Sequence, residues 1–153
     1  MAQRPTLHVK IVTAQQTIYD GEADTVLAPG SEGQLGILPR HAPLLTTLAV
    51  GELRIREHGA EEAIFVGGGF LEVNNNVVTV LADDAERASE IDEQRAEAAR
   101  RRAQELLERH DLGSDAAVAA AAELERAVGR LRVAELHRQR GGRRRELPPQ
   151  ELG

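Results

Sequence analysis

Pro29-Gly30-Ser31-Glu32-Gly33-Gln34-Leu35-Gly36-Ile37-Leu38-Pro39-Arg40-His41-Ala42-Pro43-Leu44-Leu45 is the most heavily punctuated stretch of the chain. Glycine recurs at every third position (Gly30, Gly33, Gly36), and prolines stand at Pro29, Pro39 and Pro43. Glycine admits positive φ and close backbone approach, while proline fixes φ and removes a donor. The stretch therefore cannot be a helix, and it is too apolar for a solvated linker. It reads as a shaped corner of turn, short strand, turn and short strand. Its apolar residues Leu35, Ile37, Leu38, Leu44 and Leu45 either fill a core or face a partner.

On either side of this corner the chain reads as short strands. Residues 6–13 alternate, with Leu7, Val9 and Ile11 on one face and His8 and Lys10 on the other, the period of a half-buried strand. Residues 17–21 and 24–28 add two more before the corner, and 44–48 continues extended after it. Residues 51–57 alternate cleanly before the turn His58-Gly59. Residues 63–66 and 70–73 flank the triple glycine Gly67-Gly68-Gly69, and Asn74-Asn75-Asn76 turns into 77–81. Strands this short and this closely spaced indicate an all-β sandwich or barrel.

Near Asp83 the composition switches, and from Ala88 onward Ala, Glu, Arg and Leu dominate. Ser89-Glu90-Ile91-Asp92 has the form of a capping box opening a helix that runs to about Arg109. Glu97–Arg101 and Glu105–Arg109 are i,i+4 pairs in the favoured orientation. Asp111-Leu112-Gly113 breaks the helix, and Ser114 caps a second one with Asp115 in its first turn. Ala117, Ala121, Leu124, Val128 and Leu131 form its expected apolar stripe, and Gly141-Gly142 its expected end. The two helices should fold as an antiparallel hairpin with an alanine-rich seam. Alanine contacts bury little area, so the seam is weak and the hairpin reads as a mobile element. The expected domains are a sandwich over 1–86, a two-helix domain over 87–140, and a flexible basic, proline-containing tail over 141–153.

Length and composition bound the chemistry. The chain has 153 residues, enough for one domain or a small domain with an appendage. Aromatics make up only 2%, so the core is aliphatic, and the absence of cysteine removes disulfides and thiolate metal sites. A net charge of −6 argues against a general nucleic-acid binder. No apolar run is long enough to span a membrane or to serve as a secretory signal, so a soluble intracellular protein is expected.

Gly67-Gly68-Gly69 is not followed by Lys-Ser/Thr, so a strand bend explains it better than a phosphate loop. The histidines His8, His41, His58, His110 and His137 are scattered, and no pair has metal-ligand spacing. His41 sits in the corner, either as a contact residue or as a structural or solvated one. Asp83-Asp84 fits a sheet-to-helix junction better than a catalytic pair, and no serine or threonine has a base nearby. The chain does not read as an enzyme. Asp92, Arg95 and Arg102 share one face of the first helix, and Arg126 and Arg130 one face of the second. Together they form either a guanidinium cluster around a polyanion or a solvated, internally paired face.

Residues 29–44 resemble the signature Pro-Gly-x-x-Gly-x-x-Gly-Ile-x-Pro-x-His-Ala-Pro-Leu of the epsilon subunit of F-type ATP synthases. Gly68-Gly69-Phe70-Leu71-Glu72-Val73, Val78-Thr79-Val80-Leu81-Ala82-Asp83 and the run 126–135 extend the resemblance to about residues 6–138. The resemblance implies a β-sandwich of about ten short strands followed by a two-helix domain. It implies a non-catalytic subunit of the rotor's central stalk, contacting the gamma subunit, the c-subunit ring and, with its helices extended, the alpha/beta catalytic head. Hydrolysis of ATP would be inhibited in that extended state. Ser31, Glu32, Gln34 and His41 match the region that meets the c ring, with Gln34 standing where some members carry an acid. No cofactor is implied. Some bacterial members bind ATP as a regulatory ligand through Ile/Leu-Asp-x-x-Arg-Ala. Ile91, Asp92, Arg95, Arg102, Arg126 and Arg130 match that site here, and Glu86 matches it less closely. The implied location is the cytoplasmic face of the bacterial membrane, peripheral through the complex and without insertion. A stand-alone ATP-sensing module is the alternative.

Overall fold

The computed structural model describes residues 4–146. Eight strands lead into two helices: β1 (Leu7–Val12), β2 (Thr17–Ala23), β3 (Thr25–Gly30), β4 (Gly33–Ile37), β5 (Leu44–Glu57), β6 (Ala60–Asn74), β7 (Val77–Ala82), β8 (Ala85–Arg87), a 3₁₀ turn (Ala88–Glu90), α1 (Glu93–Arg109) and α2 (Asp115–Glu146). The strand order is β2-β1-β7-β6-β5-β3-β4, with β8 also pairing β6. Among the described residues only β1 and β7 pair in parallel; the other ladders are antiparallel.

The punctuated corner folds as its glycines and prolines dictate. β3 ends at Gly30, Ser31 and Glu32 turn, and β4 returns to Ile37. Pro29 offers no N–H and sits where the β3–β5 ladder slips, between Leu27 and Gly30. The apolar residues of the corner divide. Ile37 is fully buried, whereas Leu38 and Leu45 are 58% and 70% exposed.

Sequence reading expects about ten strands, and eight form because β5 and β6 each join two of the expected ones. The ladder between them passes from Leu48–Gly69 to Val50–Gly67, and bends there. β8 pairs the first half of β6, at Ile64–Val66, and β7 the second half, at Gly69–Asn74. The bend requires Gly69. Its φ is +129°, and a Cβ there would lie 2.1 Å from the Leu81 carbonyl oxygen. The two layers enclose one aliphatic core that includes Leu7, Val9, Ile55, Ile64, Leu71 and Val80.

Helix boundaries depart from the expected ones at two points. Asp92, not Ser89, caps α1, accepting a hydrogen bond from the Arg95 N–H at 3.1 Å. Ile91 stays extended because it packs on the cluster of Ala63, Phe65, Ala88 and Val133, so the helix can start only after it. Gly141-Gly142 does not end α2, which runs to Glu146 over roughly 48 Å. Glycine costs a helix about 1 kcal/mol relative to alanine but leaves the backbone ladder intact. It stops a helix by turning left-handed, and Gly141 has no positive φ. The part of the expected tail over 147–153 lies outside the described residues.

Ser114 caps α2 as expected, its hydroxyl accepting the Ala117 N–H at 3.2 Å. Glu97 pairs with Arg101 at 3.4 Å and also with Arg100. Among the described residues the Glu105–Arg109 pair does not form within ion-pair distance. The helices pack antiparallel, the Arg138 guanidinium reaching Glu93 at 2.5 Å. Their buried residues are almost all alanine: Ala96 and Ala103 on α1, and Ala117, Ala120, Ala127 and Ala134 on α2. The expected stripe is displaced, since Val128 is 47% exposed. Gly129, Arg130 and Val133 instead turn to the sandwich. A Cβ on Gly129 would sit 2.8 Å from Val50 and 3.0 Å from Phe65, so the missing side chain lets α2 approach β5 and β6.

On the far edge, the His8 ring is held between Asp20 at 2.7 Å and Glu22 at 3.1 Å across the β1–β2 ladder. Hydrogen bonds to Glu22 and then Asp20 raise the His8 pKa above 6.5. The clamp is thus complete below that value and weakens as pH rises through the folded pKa. The thermal midpoint of the sandwich is expected to fall slightly from mildly acidic to alkaline pH. In His8→Gln this component of the slope disappears; an unchanged slope would show that the clamp contributes nothing.

Candidate functional site

A cleft of about 440 Å³ opens between the sandwich and the helices, lined by Glu86, Glu90, Asp92, Arg95, Ala96, Ala99, Arg102 and Arg130. Its wall on α1 follows from helix geometry. Arg95 and Arg102 lie seven residues apart, two turns along one face, and Ala96 and Ala99 between them are small enough to leave space. Asp92 is there because it caps the helix. Arg130 comes from the middle of α2 and closes the opposite side.

Arg130 is the most constrained of these groups. Its guanidinium lies 4.6 Å from the centre of the Phe65 ring. It donates to the Asp84 carboxylate and approaches Glu86 at 3.5 Å. Burial lowers its pKa. Burial likewise raises that of Glu86, opposed by the charge of Arg95 and reinforced by Glu90 and Asp92. The cleft therefore holds three guanidinium groups and three carboxylates, and its formal charges cancel. An incoming anion must displace Glu86 from Arg130 or find Arg95 and Arg102, both exposed and reachable.

Asp92, Arg95, Arg102 and Arg130 thus come together in the cleft, and Ile91 and Arg126 do not line it. Ile91 is part of the small apolar cluster joining helices to sandwich. The Arg126 stem lies over Gly67, its Cδ 3.2 Å from where a Cβ would be. The helical spacing of Arg126 and Arg130 shows a shared face but not that the face meets strands. Asp84 and Phe65 are the partners sequence reading missed. Asp84 lies in the turn between β7 and β8, one short strand ahead of the sheet-to-helix junction expected for it, and 46 residues separate it from Arg130, so no local spacing marks the pair.

The second candidate surface lies at the corner and on the outer sheet face. Ser31 is tied to Thr47 by its backbone N–H at 3.1 Å and by its hydroxyl at 2.7 Å. Glu32 and Gln34 are exposed on the turn and on β4. His41 is half-buried, with Nδ1 2.7 Å from the Ala42 carbonyl oxygen. Arg40, at φ 69°, donates its backbone N–H to the Asn76 side chain at 2.6 Å, fastening the loop to the β6–β7 turn. Beside the loop, Phe70 pairs across to Leu81, and Leu45 stands on the neighbouring strand β5. These three are 53%, 54% and 70% exposed. Among the described residues no group of three His, Asp or Glu side chains is arranged to hold a metal ion.

The model of the ATP synthase delta/epsilon chain β-sandwich domain matches residues 6–88, and that of the long α-helix domain of the same chain matches 89–135. The chain is 52% identical over 137 residues to an ATP synthase epsilon chain of Acidithiobacillus ferridurans, covering 89% of this chain and 96% of that one. It is 48% identical over 139 residues to the corresponding chain of Alkalilimnicola ehrlichii, covering 90% and 99%. A chain in the Euglena gracilis mitochondrial ATP synthase structure (OSCP/F1/c-ring) shares the fold, with TM-score 0.72 and 22% identity over 89% of this chain and 85% of that one.

Proposed function

Since the chain belongs to the ATP synthase delta/epsilon chain family, we propose that it is the non-catalytic epsilon subunit of an ATP synthase central stalk, joining the gamma subunit to the ring of c subunits. The observation that carries this reading is the outer sheet face, where Leu45, Phe70 and Leu81 stand more than half exposed beside the constrained loop. Exposed apolar patches of this kind mark docking surfaces. The gamma subunit takes that face, and the loop bearing Ser31, Glu32, Gln34 and His41 meets the c ring. Attachment to the cytoplasmic face of the bacterial membrane is peripheral, through the complex. No described helix is long and apolar enough to cross a membrane. Phe70→Glu puts a charge on this face without entering the core, and is expected to abolish co-purification with gamma. Retained assembly would refute the face. A wild-type chain that ignores gamma would favour the stand-alone nucleotide sensor instead.

The helices are the regulatory part. Extended, they reach the catalytic head and block ATP hydrolysis; docked on the sandwich, they release it. Removing residues 88–153 is therefore expected to raise the ATPase activity of the assembled head, and unchanged activity would remove the inhibitory role. The cleft favours a further reading, in which ATP bound to the docked form shifts the balance by mass action. Arg95, Arg102 and Arg130 converge there, and guanidinium forks suit phosphate oxygens. Calorimetry of the full chain with ATP should give binding that Arg95→Ala and Arg102→Ala each weaken. No heat at millimolar ATP would sink the ligand site.

A further inference from the structure

α2 faces the sandwich with charge rather than with apolar surface. Arg126, Arg130, Val133, His137 and Arg140 recur at spacings of four and three, one stripe of the helix. Val133 is the only apolar side chain among them. Arg130 meets Asp84 and Glu86 midway along. Toward the C-terminal end of α2 Arg140 meets Glu52 of β5 with both ends of its fork, Nη1 donating to Oε1 at 3.0 Å and Nη2 to Oε2. Glu61 of β6 lies 3.8 Å from Nη1. Arg54 and Arg56 brace the two carboxylates from the strand side, at 3.4 Å from Glu52 and 2.7 Å from Glu61. The site is sheltered: the Glu52 and Glu61 side chains are only 12% and 14% exposed.

We propose that the Arg140–Glu52–Glu61 cluster is an ionic latch that sets how often the helices leave the sandwich, and that ionic strength opens it. This rests on the reading that the helices are mobile. The apolar share of the contact between helices and sandwich is one small cluster built on Ala63, Phe65, Ala88 and Val133. The seam between the helices is alanine and holds them to each other rather than to the strands. Beside the Arg130 pairs midway along, the two-pronged, sheltered Arg140–Glu52 pair is the tie nearest the C-terminal end of α2, from which the helix would begin to peel. The closed, sheltered pair is itself screened little, but its charges are screened once released, so the open form gains with ionic strength. Donating to Glu52 raises the Arg140 pKa, so the guanidinium stays charged.

The test is amide hydrogen exchange of the full chain at low and high sodium chloride, comparing α2 with the strands β1 and β7. In the wild type, α2 exchange is expected to rise about tenfold with salt while the strands hold steady. Arg140→Gln and Glu52→Gln should each raise α2 exchange about tenfold at low salt, and the double variant no further. Arg138→Gln, which breaks pairs inside the hairpin with Glu93 and Glu135, should leave the salt response intact. Additive effects of the two substitutions, or none, would overturn the latch while leaving the helices mobile. Exchange of α2 only together with the strands, at any salt, would overturn the mobile hairpin and the latch with it.

Discussion

Gly69→Val is expected to abolish the native sandwich, costing about 4 kcal/mol or more. Two penalties add. At φ +129° a branched side chain occupies a backbone region that L residues rarely adopt, a strain of about 1–3 kcal/mol. Its Cβ would also press to 2.1 Å from the Leu81 carbonyl oxygen and 2.8 Å from the Ala82 Cα. Both neighbours are backbone of β7, paired to β6 at this position, so neither can move without parting the ladder. Gly59→Ala is the matching control. Its φ is +80° with nothing within contact distance, so it carries strain alone and should cost about 1 kcal/mol. Urea midpoints of the two variants measure the difference. Equal midpoints would mean that the β6 bend tolerates a side chain and that the layers do not depend on this glycine.

Phe65→Ala should separate the helices from the sandwich. Phe65 is fully buried, yet it belongs to the small cluster with Ala63, Ala88 and Val133 and not to the core between the layers. Its ring carries the Arg130 guanidinium on its face and lies beside the space left by Gly129. Truncation removes both contacts, about 3 kcal/mol on the scale of buried aromatic deletions. Because strand neighbours Ile64 and Val66 point into the other core, the loss should fall on docking. Exchange of α2 amides is expected to rise about a hundredfold, with β1 and β7 nearly unchanged. A uniform loss of protection would show that helices and sandwich unfold as one unit.

These two residues differ in how visible they are from sequence. Gly67-Gly68-Gly69 announces a bend or a close approach before any coordinates, because only glycine is used freely at such φ. In its apolar run the period of two sets Phe65 opposite Ile64 and Val66, but nothing in the run says that the helices cover that second face. The same division runs through the cleft. The grouping of Asp92, Arg95 and Arg102 is legible because all three lie on one helix. The position of Arg126 over Gly67 is not, since it depends on which strand the helix meets. The apolar stripe expected on α2 runs through Ala117, Ala121, Leu124, Val128 and Leu131. Ala117 is buried as expected, but further along the buried residues are Ala120 and Ala127, one position before Ala121 and Val128, because a helix approaches its neighbour most closely along its smallest side chains.

By itself the sequence determines the division into sandwich and hairpin, the punctuated corner, the alternating core strands and, through its motifs, the family. Each of these rests on local rules: a period of two or of 3.6, a fixed or a positive φ, a cap one turn from the N–H it accepts. Only the tertiary structure decides what the arginines do. Arg130 finds Asp84 across 46 residues of chain and Arg140 finds Glu52 across 88. A charge on a helix surface reads the same whether it is solvated, paired or waiting for a phosphate. The choice among these is made by the layer packed against it, because burial and a fixed partner turn an interaction that water would screen into one that holds a helix down.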